Sequence, residues 1–579
     1  MATNNEKKVV KTVYRPKTER KYERVSDAYD MCRIIAKHGD KTAFTYYDKN
    51  KKLYSISYSR FYNRILRTAA GLTKIGLAGK KIAIIGETST AWLASYIAIL
   101  VTGGVAIPMD KELEIKSIIG LLESVDADAI IYSANFNGKL AGAISEDSSI
   151  TTFIPIDPDE NELAVEGVIA YRAMRAEGKR EIEAGRFELN PKQDRERMCE
   201  MLFTSGTTGT SKCVMLCQKN IFSVVSSACA SVDFTPDDVI VSVLPIHHTY
   251  ELAISLAAMD YGIHICINDS LTRVLKNFQT FKPTGLVLVP LFVYTMYKKI
   301  WAEAKKTGQD KKLRIGLTAS HALRKVGIDK REALFKQVTH AFGGRLTKII
   351  CGGAALNPKM IEFFNELGIN VYEGFGITEC APLTFVTPYY AQKIGSVGPA
   401  VPCCQGRIDA TGIGPHGYPE GEIQIKGDNV MLGYYNNDEA NAAAFTEDGW
   451  FRTGDMGYKD DDGYFYITGR LKSVIVLENG KNIFPEEIEE YLADIEEIQE
   501  CVVVGRQNGA TVNLVALIYP NSAKFVPNAT PDEIHAVIDR NIRQLNKKLP
   551  SHKQIKQIEI RNTEFEKTSS RKIKRHLVK

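Results

Sequence analysis

The sequence lacks the features that mark several classes of protein. Its 11 cysteines include no CxxC pair, and Cys403 and Cys404 form the only adjacent couple. An odd number of scattered cysteines argues against a disulfide framework or a zinc site and favours reduced thiols in a cytosolic compartment. The N-terminus contains no apolar h-region, so no secretory signal is expected. The expected location is therefore the cytoplasm.

A strong excess of one charge and a long apolar run are also missing. The formal net charge is +5, which is small for a nucleic-acid binder of this length. The most apolar stretch, Ala91 to Pro108, is shorter than the roughly 20 residues that usually span a membrane. Nucleic-acid binding and a transmembrane helix are therefore not expected. The basic ends of the chain would allow peripheral contact with the anionic inner face of a membrane.

What the sequence does contain is the pattern of an α/β protein. The run KIAIIGE at Lys81 predicts a buried strand, TSTAWLASYIAILV predicts a helix, and VAIPMD predicts a second strand. This alternation predicts βαβ units and a largely parallel sheet. Further strands of the same kind are predicted to begin near Ala127, Val239, Gly285, Thr347 and Ile369.

Three changes of pattern divide the chain. Helix formers dominate between Pro290 and Cys351 and predict a helical insertion. After about residue 395, short strands predict a β-rich subdomain, and its GxGxxG at Gly412 is interrupted by Pro415, which favours a hairpin turn over a dinucleotide site. The C-terminal segment predicts a small α+β domain that includes a helix from Pro531 to Leu549. We therefore expect a large N-terminal domain over residues 1–470, with the β-rich subdomain at about 395–470, and a mobile C-terminal domain over 471–579.

The segment MLFTSGTTGTSKCVML, residues 201–216, carries the most chemical information. An apolar strand leads into a loop whose backbone N–H groups and hydroxyls suit phosphate oxygens, and a lysine adds positive charge. The Walker pattern needs Gly-Lys-Ser/Thr, whereas this lysine precedes a cysteine. A polyphosphate cradle is the interpretation, and a solvated Gly/Ser linker is the alternative. The candidate ligands are Thr204, Ser205, Gly206, Thr207, Thr208, Gly209 and Lys212.

The loop TSGTTGTSK resembles the signature loop of the adenylate-forming (AMP-binding) superfamily, which includes acyl-CoA synthetases, luciferases and the adenylation domains of peptide synthetases. Two positions depart from the family pattern, because Ser211 replaces a usual proline and Arg571 a usual glycine. The other family segments follow in order: LPIHHTYE at Leu244, CGGAAL at Cys351, YEGFGITE at Tyr372, GWFRTGDMG at Gly449, GRLKSVIVLENGKNIFPEEIE at Gly469 and EKTSSRKIKR at Glu566.

This resemblance implies that a carboxylate attacks the α-phosphate of ATP and that a thiol then attacks the acyl-adenylate. Mg²⁺ on Glu379 and a donor at Thr378 would offset the repulsion between the two anions, and Lys572 would stabilise charge as pyrophosphate leaves. His248 would face the carboxylate or the thiol channel, whereas His247 would serve packing. The remaining ATP contacts would come from Gly353, Ala354, Ala355, Glu373, Gly374, Phe375, Gly376, Asp455 and Arg470.

The second step needs a rebuilt site, which the family obtains by rotating the C-terminal domain. Lys472 occupies the matching hinge position, and Gly480, Lys481 and Asn482 would line the coenzyme A channel. The long helical span after Pro290 is similar to that of long-chain fatty acyl-CoA synthetases, so a medium- or long-chain fatty acid is expected. An aryl or other acid, and a carrier-protein thiol in place of coenzyme A, stay open.

Single residues have plainer interpretations. Outside the family register, Lys572 would be a solvated lysine of a basic tail and Glu379 a surface carboxylate. A non-catalytic nucleotide sensor is disfavoured because Glu379, Asp455 and Lys572 are all present. The sequence gives no indication of the oligomeric state.

Overall fold

The computed structural model describes residues 25–144, 148–205, 211–477, 482–508, 511–568 and 572–578. They divide into two compact units. The first unit contains the described chain up to Thr204, Ser211–Gln405 and Ile425–Phe451. The second contains Gly406–Gln424 and the described chain from Arg452 onward. The domain boundary expected at Arg470 stays a prediction.

A seven-stranded sheet in the first unit contains the strands predicted around Lys81. Lys81–Ile85 lies between Val105–Met109 and Ala129–Tyr132 and pairs with both in parallel. The helix Thr90–Val101 is buried along its whole length, as expected for a helix between two layers. These three strands and the helix confirm the predicted βαβ unit. In spatial order the strands are Gly433–Tyr434, Ser211–Cys217, Met198–Ser205, Val105–Met109, Lys81–Ile85, Ala129–Tyr132 and Thr152–Pro155.

An eight-stranded sheet in the same unit confirms the largely parallel arrangement. Its six inner strands pair in parallel, and the outer strands Leu383–Val386 and Leu53–Ser57 are antiparallel to their neighbours. The carboxyl ends of the inner strands therefore share one edge, where ligands bind in open α/β sheets. In spatial order the strands are Leu383–Val386, Asn370–Gly376, Lys348–Gly352, Gly285–Leu288, Val239–Ser242, His264–Ile267, Thr42–Tyr47 and Leu53–Ser57.

Helices cover these sheets. The predicted insertion is confirmed as three helices, the first beginning at Pro290, where a missing backbone N–H costs nothing. No helix among the described residues is both long and apolar enough to cross a membrane. The helices of the first unit are Ala28–Lys37, Tyr58–Lys74, Thr90–Val101, Ile115–Glu123, Tyr171–Glu183, Gln218–Ser231, Thr249–Tyr261, Val274–Phe281, Pro290–Lys306, Asp310–Lys325, Arg331–His340, Pro358–Leu367 and Asp438–Ala444.

The second unit is built mainly on short sheets. In the predicted hairpin turn, the backbone N–H of Gly414 donates to the carbonyl of Tyr418 at 2.9 Å, which confirms a turn at the GxGxxG pattern. One sheet, most of whose residues belong to this unit, contains Cys404–Ile413, Pro419–Gly427, Phe451–Lys459 and Phe465–Arg470. The others contain Ile475–Val476 with Asn482–Ile483, and Ile498–Asn508 with Thr511–Pro520 and Gln557–Ile560.

Two helices pack within the second unit, Pro485–Ala493 and Pro531–Asn546. The expectation that the second helix reaches Leu549 was wrong. Leu549 instead donates to the carbonyl of Asn546 in a tighter turn. Pro550 explains the early end, because a residue before proline disfavours the helical conformation.

Candidate functional site

Two neighbouring strand ends form the first part of the candidate site. Lys348–Gly352 and Asn370–Gly376 run in parallel, and Gly352 pairs with Gly374. The chain that leaves Gly352 therefore starts beside the Gly374 segment, at the ligand-binding edge of the sheet. Gly353, Ala354 and Ala355 follow and are exposed. The structure thus brings together two segments predicted to contact adenine.

Small residues and one aromatic ring shape this edge. A Cβ added at Gly376 would stand 2.4 Å from the carbonyl oxygen of Pro382, so only glycine fits there. Half-buried Phe375 stacks on Phe385 with ring centroids 5.7 Å apart. Glu373 is buried, and its carbonyl accepts a hydrogen bond from the backbone N–H of Thr387. A supported, partly exposed ring beside glycines is suited to stacking on a flat base.

A tyrosine connects the predicted metal ligand to the predicted phosphate-binding lysine. Glu379 lies in the short 3-10 turn Thr378–Cys380, and the hydroxyl of Tyr434 donates to its Oε1 at 2.9 Å. The Nζ of Lys212 lies 4.6 Å from the centroid of the Tyr434 ring. Burial, followed by the charge of Glu379, raises the pKa of the Tyr434 hydroxyl well above its usual range. This hydroxyl therefore remains a donor to Glu379 at neutral pH.

Sequence reasoning missed Tyr434. Its strand, Gly433–Tyr434, pairs with residues 214 and 215 more than 200 positions earlier in the chain. A pairing at such a distance leaves no periodic signal in either segment. The aromatic pair in GYYN, at residues 433–436, was the one available hint.

The surroundings of Glu379 fit Mg²⁺. Its carboxylate is half-buried, and Tyr434 orients one of its oxygens. Mg²⁺ commonly takes one or two protein carboxylates and completes its shell with water and substrate phosphates. Within the described residues, no group of three or more His, Cys, Asp or Glu side chains could hold a metal ion. A metal at Glu379 would therefore depend on phosphate ligands.

The second unit contains another cluster, formed by Asp455, Arg470 and Lys572. Asp455 and Arg470 are partners across an antiparallel pair of strands, and Arg470 Nε lies 3.1 Å from Asp455 Oδ1. The Asp455 carboxylate is buried, whereas the Arg470 side chain is half exposed. The structure therefore brings together an acidic and a basic residue that the sequence predicted for ribose and phosphate.

Lys572 belongs to this second cluster. Although the residue as a whole keeps an exposed surface, loss of solvent around its ammonium lowers the pKa of Lys572 to about 8. The like charge of Arg470 lowers it further, and Asp455 opposes both effects. The amine is therefore close enough to both residues to feel their charges, so it is not a remote tail lysine.

The remaining predicted residues are only partly described. Lys472 is exposed in the turn Leu471–Ser473, directly after the strand that ends at Arg470. Ser205 ends the strand Met198–Ser205, and Asn482 begins the strand Asn482–Ile483. The Oγ1 of Thr204 donates to the carbonyl of Lys212 at 3.4 Å, which holds together the two ends of the loop. Gly206, Thr207, Thr208, Gly209, Gly480 and Lys481 lie outside the described residues.

The two histidines differ in their surroundings. His247 is buried, and its Nε2 lies 3.6 Å from Asp110 Oδ2. Burial, then His248, lower the pKa of His247 to about 3 against the opposing charge of Asp110. His248 is half-buried at the N-cap position of the helix Thr249–Tyr261, with its ring 4.2 Å from that of His247. Its role toward carboxylate or thiol stays a prediction.

An apolar cavity lies in the first unit. Its walls come from the helices Gln218–Ser231 and Thr249–Tyr261 and from inner strands of the eight-stranded sheet, and its lining is almost entirely apolar. The wall residue Tyr250 reaches the strand ends, since a Cβ added at Gly352 would stand 3.1 Å from its hydroxyl. The wall residue Leu383 packs behind Gly374. The cavity therefore adjoins the edge predicted to bind adenine.

Comparison with known proteins identifies the family to which the chain is similar. The model described as AMP-binding enzyme matches residues 33–435, and the model of the AMP-binding enzyme C-terminal domain matches residues 472–579. The chain is 27% identical over 552 residues to the long-chain-fatty-acid–CoA ligase FadD15 of Mycobacterium tuberculosis, with 89% of each protein covered. It is 24% identical over 583 residues to the long-chain-fatty-acid–[acyl-carrier-protein] ligase AEE15, chloroplastic, of Arabidopsis thaliana, covering 88% of this chain and 78% of that protein.

Solved structures agree on the fold. ATP-bound MatB from Rhodopseudomonas palustris is 22% identical and superposes with a TM-score of 0.72, covering 95% of this chain and 98% of that one. The α/β fold with its separate C-terminal portion is thus shared. The first family model alone spans more than half of the sequence. The chain therefore belongs to the family of AMP-binding enzymes.

Proposed function

We propose that the protein is an ATP-dependent acid–thiol ligase that converts a medium- or long-chain fatty acid into its acyl-adenylate and then into acyl-CoA. The apolar cavity beside the adenine-binding edge is the observation that carries the choice of acid. The name of the relative FadD15, a long-chain-fatty-acid–CoA ligase, supports the same substrate class.

The cavity suits an aliphatic tail in its chemistry. Its lining is almost entirely apolar, as in pockets that bury small apolar ligands. Each methylene buried there would contribute about 0.8 kcal/mol to binding. Because Tyr250 connects the cavity to Gly352, a bound acid would present its carboxylate near the segment expected to hold ATP. Binding the tail would therefore also position the reacting group.

Lys212, Thr378 and Glu379 in the first unit would lower the repulsion between carboxylate and phosphate. Lys212 supplies positive charge to the phosphates, and Thr378 donates to the α-phosphate. Glu379, oriented by Tyr434, would hold Mg²⁺ with the phosphates. When bound, this ion supplies positive charge against phosphate oxygens that gain negative charge in the transition state. These residues therefore favour attack of the carboxylate on phosphorus.

The second cluster would act on the ribose and on the leaving group. Asp455 accepts hydrogen bonds from ribose hydroxyls, and Arg470 keeps its carboxylate oriented through their contact at 3.1 Å. Lys572 places its ammonium against the bridging oxygen and the α-phosphate as pyrophosphate departs. A thiol then attacks the carbonyl of the acyl-adenylate, the C–O bond to phosphate breaks, and AMP leaves with the oxygen.

A product assay tests the proposed function. Purified protein is mixed with ATP, Mg²⁺, coenzyme A and acids from acetate to oleate, and AMP, ADP and acyl-CoA are measured. We expect AMP and acyl-CoA in equal amounts, with the highest kcat/KM for long aliphatic acids. ADP and phosphate as products would contradict the proposal. Turnover that requires holo acyl carrier protein and ignores coenzyme A would favour the acceptor named for the relative AEE15.

Replacing Tyr434 with Phe tests the positioning of Glu379. A hydrogen bond to a charged group contributes about 1.5–3 kcal/mol, so we expect kcat/KM to fall by about tenfold or more. The Mg²⁺ concentration for half-maximal rate should rise, because the carboxylate loses its fixed orientation. Tyr435→Phe is a matched control, since that hydroxyl contacts Lys81 instead. An unchanged Mg²⁺ dependence in Tyr434→Phe would count against this role.

Replacing Lys472 with Pro tests the hinge. Proline fixes φ near −65° and should restrict rotation at this turn. We expect thioester formation to slow more than ATP–pyrophosphate exchange, which reports adenylation alone. Lys472→Ala, which loses the same charge but stays free to rotate, should keep the wild-type ratio of the two rates. If the proline variant also keeps that ratio, the hinge lies elsewhere.

A further inference from the structure

The helical insertion, residues 290–340, carries a concentrated positive charge. It contains twelve Lys and Arg against four Asp and Glu, a net charge of +8, whereas the whole chain carries +5. The rest of the sequence is therefore net negative by three charges. Positive charge concentrated in one segment orients a protein toward an anionic partner.

The lysines of the insertion are available to such a partner. Its arginines Arg324 and Arg331 pair with Glu366 and Asp329. By contrast, eight exposed lysines in the described residues of the insertion form no ion pair in this structure. They are Lys299, Lys305, Lys306, Lys311, Lys312, Lys325, Lys330 and Lys336.

Exposed aliphatic side chains lie among these lysines. Ile315 is 70% exposed and Val326 is 71% exposed. They are eleven residues apart, about three helical turns, so they share one face of the helix Asp310–Lys325 and its C-cap. Lys311 lies one turn before Ile315, and Lys325 adjoins Val326. We call this set, Lys311, Ile315, Lys325 and Val326, the insertion face.

We propose that the insertion face binds the surface of an anionic phospholipid bilayer. Its lysines would lie over lipid phosphates, while Ile315 and Val326 would enter the headgroup boundary. Charge complementarity favours an anionic surface, and aliphatic side chains beside the charges favour lipid over single-stranded nucleic acid, which would use exposed aromatic rings for stacking. The one indole near this face, that of Trp301, is half-buried under Arg314 at 4.8 Å. This binding is independent of the proposed enzymatic function.

Vesicle co-sedimentation tests the proposal with the full-length protein. We expect binding to phosphatidylcholine vesicles that contain phosphatidylglycerol, little binding to pure phosphatidylcholine, and release at high salt. Lys311→Gln with Lys325→Gln should lower the partition coefficient by about 30-fold, since each surface lysine contributes about 1 kcal/mol. Ile315→Gln with Val326→Gln should also lower it, which a purely electrostatic contact would not require.

Two exposed lysines elsewhere supply the matched control. Lys116→Gln with Lys192→Gln changes the net charge equally but should leave vesicle binding at the wild-type level. Activity toward a soluble short acid should be the same in all variants, so a loss of binding is separable from a loss of catalysis. Equal binding to both vesicle types, an equal loss in the control, or binding to single-stranded DNA in place of vesicles would overturn the proposal.

Discussion

Replacing Lys572 with Ala is expected to lower the rate of adenylation by two to three powers of ten, roughly the effect of removing one donor that stabilises transition-state charge. Pyrophosphate leaves before the acyl-adenylate reacts with the thiol. Thioester formation from supplied acyl-adenylate should therefore be largely retained. ATP–pyrophosphate exchange measures the first step, and acyl-CoA formation from synthetic acyl-adenylate measures the second. Equal losses in both steps would contradict the assigned role.

Two controls define the role of the Lys572 charge. Lys574→Ala removes a neighbouring basic side chain whose residue is fixed by a backbone bond to Glu566, and it should have little effect. Because the pKa of Lys572 is lowered to about 8, the ammonium loses its proton as pH rises through that value. The kcat/KM of adenylation should therefore fall above about pH 8 in the wild type. Lys572→Arg stays charged and should lose this alkaline decline.

Replacing Ala257 with Phe is expected to restrict the protein to acids with shorter chains. Ala257 lines the apolar cavity two helical turns beyond Tyr250, so a phenyl ring there would occupy space for the distal part of a tail. Excluding four methylenes at about 0.8 kcal/mol each would lower kcat/KM for hexadecanoate by about 200-fold. The value for hexanoate should change little.

A matched substitution distinguishes a blocked cavity from a general loss of folding or activity. Ala302→Phe adds the same ring at an exposed position of the helix Pro290–Lys306 and should leave the preference between the two acids unchanged. The ratio of kcat/KM values for hexadecanoate and hexanoate is the quantity to compare. An unchanged ratio in Ala257→Phe would mean that the cavity does not hold the tail.

The parts of the fold that were predictable depend on local patterns. Lys81–Ile85 and Gly285–Leu288 are apolar runs of strand length between turn signals, and parallel pairing follows from the helices between them. The family segments likewise indicated Glu379, Asp455 and Lys572 before any geometry was available. The pairing of Asp455 with Arg470 follows from a hairpin with a short turn, which fixes register locally.

The parts that were not predictable depend on distant packing. Tyr434 reaches Glu379 from a strand whose partner lies more than 200 residues earlier. The apolar cavity is lined by segments between Val224 and Val386. The sequence of any one of these segments does not indicate that they line a common cavity. The insertion face was hidden for another reason, because its helical spacing emerges only once the helix Asp310–Lys325 has defined ends.

In the proposed reaction, a carboxylate oxygen attacks the α-phosphate of ATP. A fatty acid labelled with a heavy oxygen isotope in its carboxylate tests this directly, with AMP and inorganic products analysed by mass spectrometry after one turnover with coenzyme A. We expect one labelled oxygen in AMP and none in pyrophosphate, because the C–O bond of the acyl-adenylate breaks on thiol attack. Label in inorganic phosphate, with ADP as the nucleotide product, would contradict it.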